Sequence, residues 1–299
     1  MVHPRSSSTS LHRLANRAKR QAVNRVAPLR WAADAAQERR RRTWANHLPS
    51  LLPDDVALVR TLDEKAIQVC SLPDLGIPGT DELMAVLERM VTPLRQRDPD
   101  GASTLRPSLA EMVQDQVLWH WGLQERMLAV VENYLGVPAR YYGPDVRREV
   151  ADRKASGVRQ WHRDIEDHRM IKILVWLNDV DDQGGPFAYI PVRRSAEASR
   201  ELRYVSGFIP DERLHRVVPR AEVRTVPGPT WTTLVADNTR IIHRATPPES
   251  RDRYSVTFTY SSRQPIKTMD PVQWDRDQIT RIRSGLTERQ LACLPSSLS

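Results

Sequence analysis

Cysteine is nearly absent from this chain: Cys70 and Cys293 are the only two among 299 residues. They lie far apart and fit neither a disulfide framework nor a thiolate metal site, so a reducing compartment with two inert thiols is the natural reading. A cytoplasmic location is expected on that basis. Long apolar runs are missing as well. No stretch reaches the roughly 20 residues that span a bilayer, and the N-terminus lacks the apolar segment of a secretion signal. Internal repeats are not visible. A chain of this length can bury a full core, and one large domain with extensions is expected.

Charge is present but unevenly placed. The formal net charge is +8, yet residues 1–42 alone hold eleven Arg or Lys against Asp34 and Glu38, so the rest of the chain is close to neutral. A near-neutral body without an aromatic–basic surface pattern argues against phosphate tracking, and no specific nucleic-acid binding is expected. In "LHRLANRAKRQAVNRVAPLRW", Leu11, Leu14, Ala18, Ala22, Val26 and Leu29 recur every three or four residues, the period of an amphipathic helix with a basic polar face. Such a helix suits contact of residues 1–42 with an anionic partner or a membrane surface, and it also has the look of a transit peptide. The plainer alternative is a helical extension packed on the body, continued by a solvated "QERRRRTWANH". Residues 1–48 are therefore read as a basic helical extension, and 49–299 as a single domain.

Within that domain two textures follow one another. "VALVRTLDEK" reads as a short helix and "AIQVC" as a strand; "TDELMAVLERMV" reads as a helix capped by Thr80 and Asp81 that ends at Pro93. "SLAEMVQDQVLWHWGLQERMLAVVENYLG" reads as one long helix or two, closed by Gly136, with His120 a packed helix residue. From residue 140 short segments rich in β-formers alternate with Gly, Pro, Asn and Asp, as in "IKILVWLNDV", "WTTLVADN" and "RYSVTFTYSS". Short strands without long intervening helices point to an antiparallel sandwich or barrel. Residues 196–216 form an insertion expected to flank the active site, and 270–295 a helical C-terminus.

One stretch raises the question of chemistry. In "RQWHRDIEDH", His162 and Asp164 stand two positions apart, the spacing at which side chains of an extended chain leave the same face. A solvated turn would show the same pattern, since a chain with eight histidines contains about one His-x-Asp/Glu by chance. A site built from two histidines and one carboxylate needs a third ligand from elsewhere, and His243 in "TRIIHRATPP" is the candidate. Further on, "RDRYSVTFTY" alternates Arg253, Ser255 and Thr257 with Tyr254, Val256 and Phe258, placing a guanidinium and a hydroxyl on one face where they could hold a dicarboxylate.

Four stretches in this order, "QWHRDIED", "KILVWLNDVDDQGGPFAYIP", "VADNTRIIHRATPP" and "RDRYSVTFTY", resemble the phytanoyl-CoA dioxygenase family of iron(II)- and 2-oxoglutarate-dependent oxygenases over residues 140–262. The resemblance implies a mainly β fold with helical additions: a double-stranded β-helix (jelly roll, cupin-like) core flanked by α-helices. It implies His162, Asp164 and His243 as ligands of Fe(II), and Arg253 as the partner of the distal carboxylate of 2-oxoglutarate, with Arg251 as the fallback. The implied reaction consumes 2-oxoglutarate and O2, releases succinate and CO2, and hydroxylates an unactivated carbon of a small-molecule or carrier-tethered substrate; desaturation, epimerisation and ring closure draw on the same chemistry. Halogenating relatives replace the carboxylate ligand by a small residue, so with Asp164 present this sequence resembles the hydroxylases and related oxidases, not the halogenases. "YIPVRRS" departs from the Pro-Gly-Ser-His turn of many relatives.

Weaker candidates surround these. Alternation on "KILVWLND" puts Lys172, Leu174 and Trp176 on one face, so Lys172 could reach 2-oxoglutarate or an anionic substrate. Ser255 and Gln160 are candidates for the same cosubstrate pocket, and Trp161 and Trp176 for the substrate pocket, although a packed Trp161 is the simpler reading. His168 is read as solvated or supporting, Asp237 and Asn238 as a structural turn, and "DDQGG" as a turn without a phosphate cradle. A different class of function stays open: a catalytically degenerate jelly-roll binding or scaffold protein that acts through its basic N-terminal arm.

Overall fold

Alternation along one strand decides the architecture. Arg253–Ser262 presents Tyr254, Val256, Phe258 and Tyr260 to one side and Arg253, Ser255, Thr257 and Thr259 to the other, so apolar and polar faces are segregated from the outset. The computed structural model describes residues 27–269 and 272–298, and the expectations for residues 1–26 lie outside the described residues. Its strands are β1 (Ile67–Ser71), β2 (Thr104–Leu105), β3 (Ala139–Glu149), β4 (Ile171–Trp176), β5 (Phe187–Tyr189), β6 (Arg224–Val226), β7 (Thr232–Ala236), β8 (His243–Ala245) and β9 (Arg253–Ser262).

Two antiparallel sheets result. The larger has the order β1-β7-β4-β9-β3-β2 and the smaller β6-β5-β8, which an isolated bridge between His162 and His243 extends by one further segment. From β3 onward the chain visits the larger sheet, the smaller sheet at His162, the larger at β4, the smaller at β5 and β6, then alternates again through β7, β8 and β9. That alternation is the winding of a double-stranded β-helix, and helices flank it.

The helices cover the outer face of the larger sheet. Ile173, Val175, Val256, Phe258 and Tyr260 share one continuous core with Leu83 and Leu87 of the Thr80–Gln96 helix and with Leu128, Val131 and Leu135 of the Glu125–Leu135 helix. Each such side chain stabilises the fold by roughly 1.5–3 kcal/mol when fully buried. The contact is close: a Cβ on Gly122 would sit 2.5 Å from the Tyr141 ring, and the Tyr260 hydroxyl donates to Gly122 O at 2.8 Å. The inner face carries a smaller apolar cluster around Trp176, Leu234, Ala236, Phe187 and Ile241.

Several elements differ from the sequence expectation, each for a physical reason. The helix expected to stop at Pro93 continues to Gln96. It is capped by Gly79, at φ 78°, rather than by Thr80, whose hydroxyl instead donates to Ile77 O at 2.6 Å and accepts from Trp121 Nε1 at 3.0 Å. Residues 109–135 form neither one helix nor two; short turns at Leu109–Met112 and Val117–His120 and a 3₁₀ segment at Trp121–Leu123 precede Glu125–Leu135. The expected helical C-terminus breaks into Arg276–Arg283 and Glu288–Leu291, each opened by its own capping box on Asp275 and Thr287. The larger sheet also recruits β1 and β2 from the N-terminal side of residue 140.

The described part of the basic extension is the Ala27–Trp44 helix, and it packs on the body. Gln37 is buried, Asp34 meets His168 Nδ1 at 3.1 Å, and Arg40 donates to Gln264 at 2.7 Å. No described helix is long and apolar enough to cross a membrane. Because the sheet–helix interface carries the largest core, Phe258→Ala, at a fully buried site against Trp121, should cost about 3–5 kcal/mol in urea unfolding. A loss below ~1 kcal/mol would show that this interface is not what holds the sheet.

Candidate metal centre

The site starts from backbone pairing. His162 N donates to His243 O and His243 N to His162 O, both at 2.9 Å, so the two residues form a hydrogen-bonded antiparallel pair with their side chains on one face. Two positions on, Asp164 N donates to Asn238 O at 3.1 Å, which turns the carboxylate toward the same point. The imidazole Nε2 atoms of His162 and His243 lie 3.6 and 3.9 Å from Asp164 Oδ1, and one ligand atom from each residue falls within 4.8 Å of the others. Among the described residues this is the single His/Cys/Asp/Glu group so arranged.

Protonation suits metal binding. His162 Nδ1 lies 2.8 Å from Gln160 O and His243 Nδ1 3.1 Å from Ile241 O, which assigns the proton to Nδ1 and leaves each Nε2 lone pair facing inward. Burial lowers both imidazole pKa values, His243 to about 3 with His162 adding to the effect, so both rings are neutral at physiological pH. Burial alone would push Asp164 up, but the Lys172 ammonium outweighs it and holds the carboxyl below its ordinary range. Lys172 Nζ stands 2.5 Å from Asp164 Oδ2, on the oxygen turned away from the imidazoles, so Oδ1 is the one that faces both Nε2 atoms. Two neutral nitrogens and one carboxylate oxygen converging on a point fit a divalent transition metal of the two-histidine, one-carboxylate kind.

A cavity of about 110 Å³ opens beside His162 and His243. Leu174, Trp176, Phe187, Leu234 and Ala236 make it largely apolar, and Arg253 and Ser255 bring polar groups to it. Arg253 is 2% exposed and uses Nη1 on Thr246 O at 2.9 Å, while its Nε and Nη2 have no protein partner among the described residues. Burial draws its pKa down to about 10, against the opposing pull of Glu149. Glu149 is itself held by Arg159 at 2.8 Å, and the Trp176 ring lies 5.5 Å from the Arg253 guanidinium carbon. The Ser255 hydroxyl also has no protein partner among the described residues.

Of the residues singled out from the sequence, His162, Asp164, His243, Arg253, Ser255, Lys172 and Trp176 come together here. Two do not. The Gln160 side chain turns away to Ala155 O at 3.1 Å, and only its carbonyl serves the site. Trp161 is buried in a separate cluster, with Nε1 on Asp211 at 2.8 Å and Arg244 over its ring, because alternation sends it to the face opposite His162. Arg251 is exposed and paired with Asp181, so it has no part in the cavity. His168 meets the N-terminal helix.

Sequence reasoning missed three contributors. Asn238, read as a turn, lines the cavity with a buried, unpartnered Oδ1. Glu149 also lines it, and the alternation of β3 against Arg253 could have found it, since the two residues are paired in register. Phe208, within the insertion expected to flank the site, sets its ring edge against His162 at 5.5 Å between centroids. Nothing local in "SGFIP" signals that contact.

No protein-family model and no curated protein sequence matches the chain. Solved structures of similar chain path include the non-heme alpha ketoglutarate dependent epimerase SnoN from nogalamycin biosynthesis, 16% identical over 70% of this chain and 83% of that one, with a TM-score of 0.43. HygX from Streptomyces hygroscopicus, with nickel and 2-oxoglutarate bound, is 16% identical over 72% and 88%, at a TM-score of 0.47. EctD from S. alaskensis in its apo form is 15% identical over 72% and 81%, at 0.46.

Proposed function

We propose that the chain is a non-haem iron(II)- and 2-oxoglutarate-dependent dioxygenase that hydroxylates, or otherwise oxidises, an unactivated C–H bond of a small or carrier-tethered molecule. One observation carries the reading: two neutral imidazoles and a carboxylate converge within 4.8 Å beside a cavity that also presents a buried arginine with unused donors. Iron bound with 2-oxoglutarate and O2 supplies oxidative decarboxylation, in which one oxygen atom enters succinate as CO2 leaves and the other converts substrate C–H to C–OH.

The residues of this chain perform the remaining tasks. His162, Asp164 and His243 hold the metal. Arg253, with the Ser255 hydroxyl beside it, binds the distal carboxylate of 2-oxoglutarate through the guanidinium fork. Glu149 keeps that guanidinium charged in a buried position, and Trp176 packs beside it. Leu174, Leu234, Ala236 and Phe187 exclude water and stray hydrogen donors from the reacting region. The finer likeness to phytanoyl-CoA dioxygenases rests on the four sequence stretches quoted above. Against the degenerate scaffold stands the complete ligand set of His162, Asp164 and His243 beside the free donors of Arg253, a combination that anion binding alone does not require.

Under anaerobic conditions, iron(II)-loaded protein titrated with 2-oxoglutarate should develop the weak visible band of a chelated 2-oxo acid. His243→Ala should abolish it by losing the metal. Arg253→Ala should keep the metal and raise the half-saturating 2-oxoglutarate concentration about 10–100-fold, as expected for a charge-assisted contact worth ~1.5–3 kcal/mol. A normal band in the histidine variant, or unchanged half-saturation in the arginine variant, removes that residue from the site.

The depressed imidazole pKa values also make metal affinity insensitive to mild acid. Two ordinary imidazoles with pKa about 6.5 would lose roughly tenfold in affinity between pH 7.5 and 6.0 through proton competition. Here His243 stays unprotonated over that window and burial shifts His162 in the same direction, so calorimetric titration with the metal should show a loss of less than about fourfold. A tenfold loss would mean that the rings are solvated rather than buried.

A further inference from the structure

A second cavity, of about 540 Å³, adjoins the first, and Arg147, Lys172 and Thr257 line both. It continues along the inner face of β9: Arg253, Ser255 and Thr257 belong to the first cavity, Thr257 and Thr259 to the second. Ser261, the next residue on that face, pairs in register with Arg140 of β3. At about 3.3 Å per residue, the backbone of Arg140 stands on the order of 13 Å from the wall at Thr257.

The lining combines positive charge with aromatic surface. Arg106, Arg140, Arg147 and Lys172 face it, with Asp145 as the one carboxylate among the described residues. Three of the four cations are already engaged. Arg106 lies 2.9 Å from Asp145, Arg147 pairs with Asp145 and stands 3.7 Å from Glu149, and Lys172 is on Asp164. Arg140 differs: among the described residues it makes no ion pair and no side-chain hydrogen bond, and its Nε is buried without a partner. A buried guanidinium N–H without an acceptor costs free energy that a bound anion would recover. Nearby, Trp119 and Trp274 meet edge to face with centroids 5.4 Å apart and present aromatic surface to the same cavity.

From this we infer that the second cavity is the substrate chamber and that its substrate is an organic anion. The apolar or aromatic body lies on Trp119 and Trp274, and a carboxylate, phosphate or sulfonate group sits on Arg140. The carbon to be oxidised lies at the boundary formed by Thr257 and Lys172. The separation between that boundary and Arg140 favours a body of several rings or a long chain over an acid of two or three carbons. As a substrate chamber the assignment rests on the oxygenase reading; as an anion-binding chamber it is tested apart from it.

The test uses metal-free, full-length protein and two fluorescent probes that share one aromatic body, 8-anilinonaphthalene-1-sulfonate and its neutral counterpart N-phenyl-1-naphthylamine. Titrations run at ~0.3 M salt, which screens exposed cations. Wild type should bind the sulfonate at least about tenfold more tightly than the neutral probe, the factor for a charge-assisted hydrogen bond in a partly buried site. Arg140→Gln should erase that preference and leave the neutral probe unchanged, and Arg140→Lys should keep part of it. Should Arg140→Gln fail to fold by circular dichroism, Thr268→Glu, which adds an opposing charge at the chamber wall, should erase the preference instead. Equal binding of the two probes to wild type, or a preference that survives these variants, overturns the assignment. Because no metal is present, either result leaves the metal-centre reading untouched, and failure of metal binding leaves this measurement interpretable.

Discussion

Two reciprocal backbone hydrogen bonds, between His162 and His243 at 2.9 Å each, hold the site together. They join segments that are remote in sequence and, because a hydrogen-bonded antiparallel pair sends both side chains to one face, they bring the imidazole centroids to 4.4 Å. The same device orients each ring, since each Nδ1 is tethered to the carbonyl two residues earlier, Gln160 in one case and Ile241 in the other. Inward-facing Nε2 atoms follow from the backbone, not from adjustable side-chain contacts. Asp164 then completes the set through its own bond to Asn238 O.

The larger sheet makes such a centre affordable by separating stability from chemistry. Its outer face packs apolar side chains on the helices and stabilises the fold, so the inner face is free to carry buried charge. Buried ions are costly unless paired, and the pairing here is close to complete. Arg159 holds Glu149 at 2.8 Å and Asp152 at 2.6 Å, and Lys172 stands on Asp164. Two guanidiniums fall outside that balance: Arg253, which shares Glu149 only at a distance, and Arg140, with no carboxylate among the described residues. One faces the metal-side cavity and the other the larger chamber, so unspent positive charge marks both places where an external anion would be stabilised.

The described part of the basic N-terminal region, from Ala27, meets the body away from the metal-side residues. The Ala27–Trp44 helix meets the body through Asp34, Gln37 and Arg40, while Arg39 and Arg42 remain in solvent. A Cβ on Gly136 would come within 2.5 Å of the Arg41 side chain, so that arginine lies flat against the end of the Glu125–Leu135 helix. Packing, the plainer of the two sequence readings, describes this portion.

The two-residue period of an extended chain is local, and whatever depends on it was legible in the sequence. His162 with Asp164, Arg253 with Ser255, and Lys172 with Trp176 each share a face for that reason, and the β-rich texture after residue 140 followed from residue type and turn spacing. The same period sends Trp161 to the face opposite His162, and the packed reading, the simpler of its two, describes it. Whatever depends on which strands become neighbours was decided by the tertiary structure. Glu149 reaches Arg253 through the β3–β9 register, and Phe208 reaches His162 because Ile209 bridges to Trp161. Arg140, with no ion pair among the described residues, stands at the far end of the same sheet face. Strand neighbours are chosen by burial of the whole apolar face against the helices, a sum over distant residues that no short stretch of sequence contains.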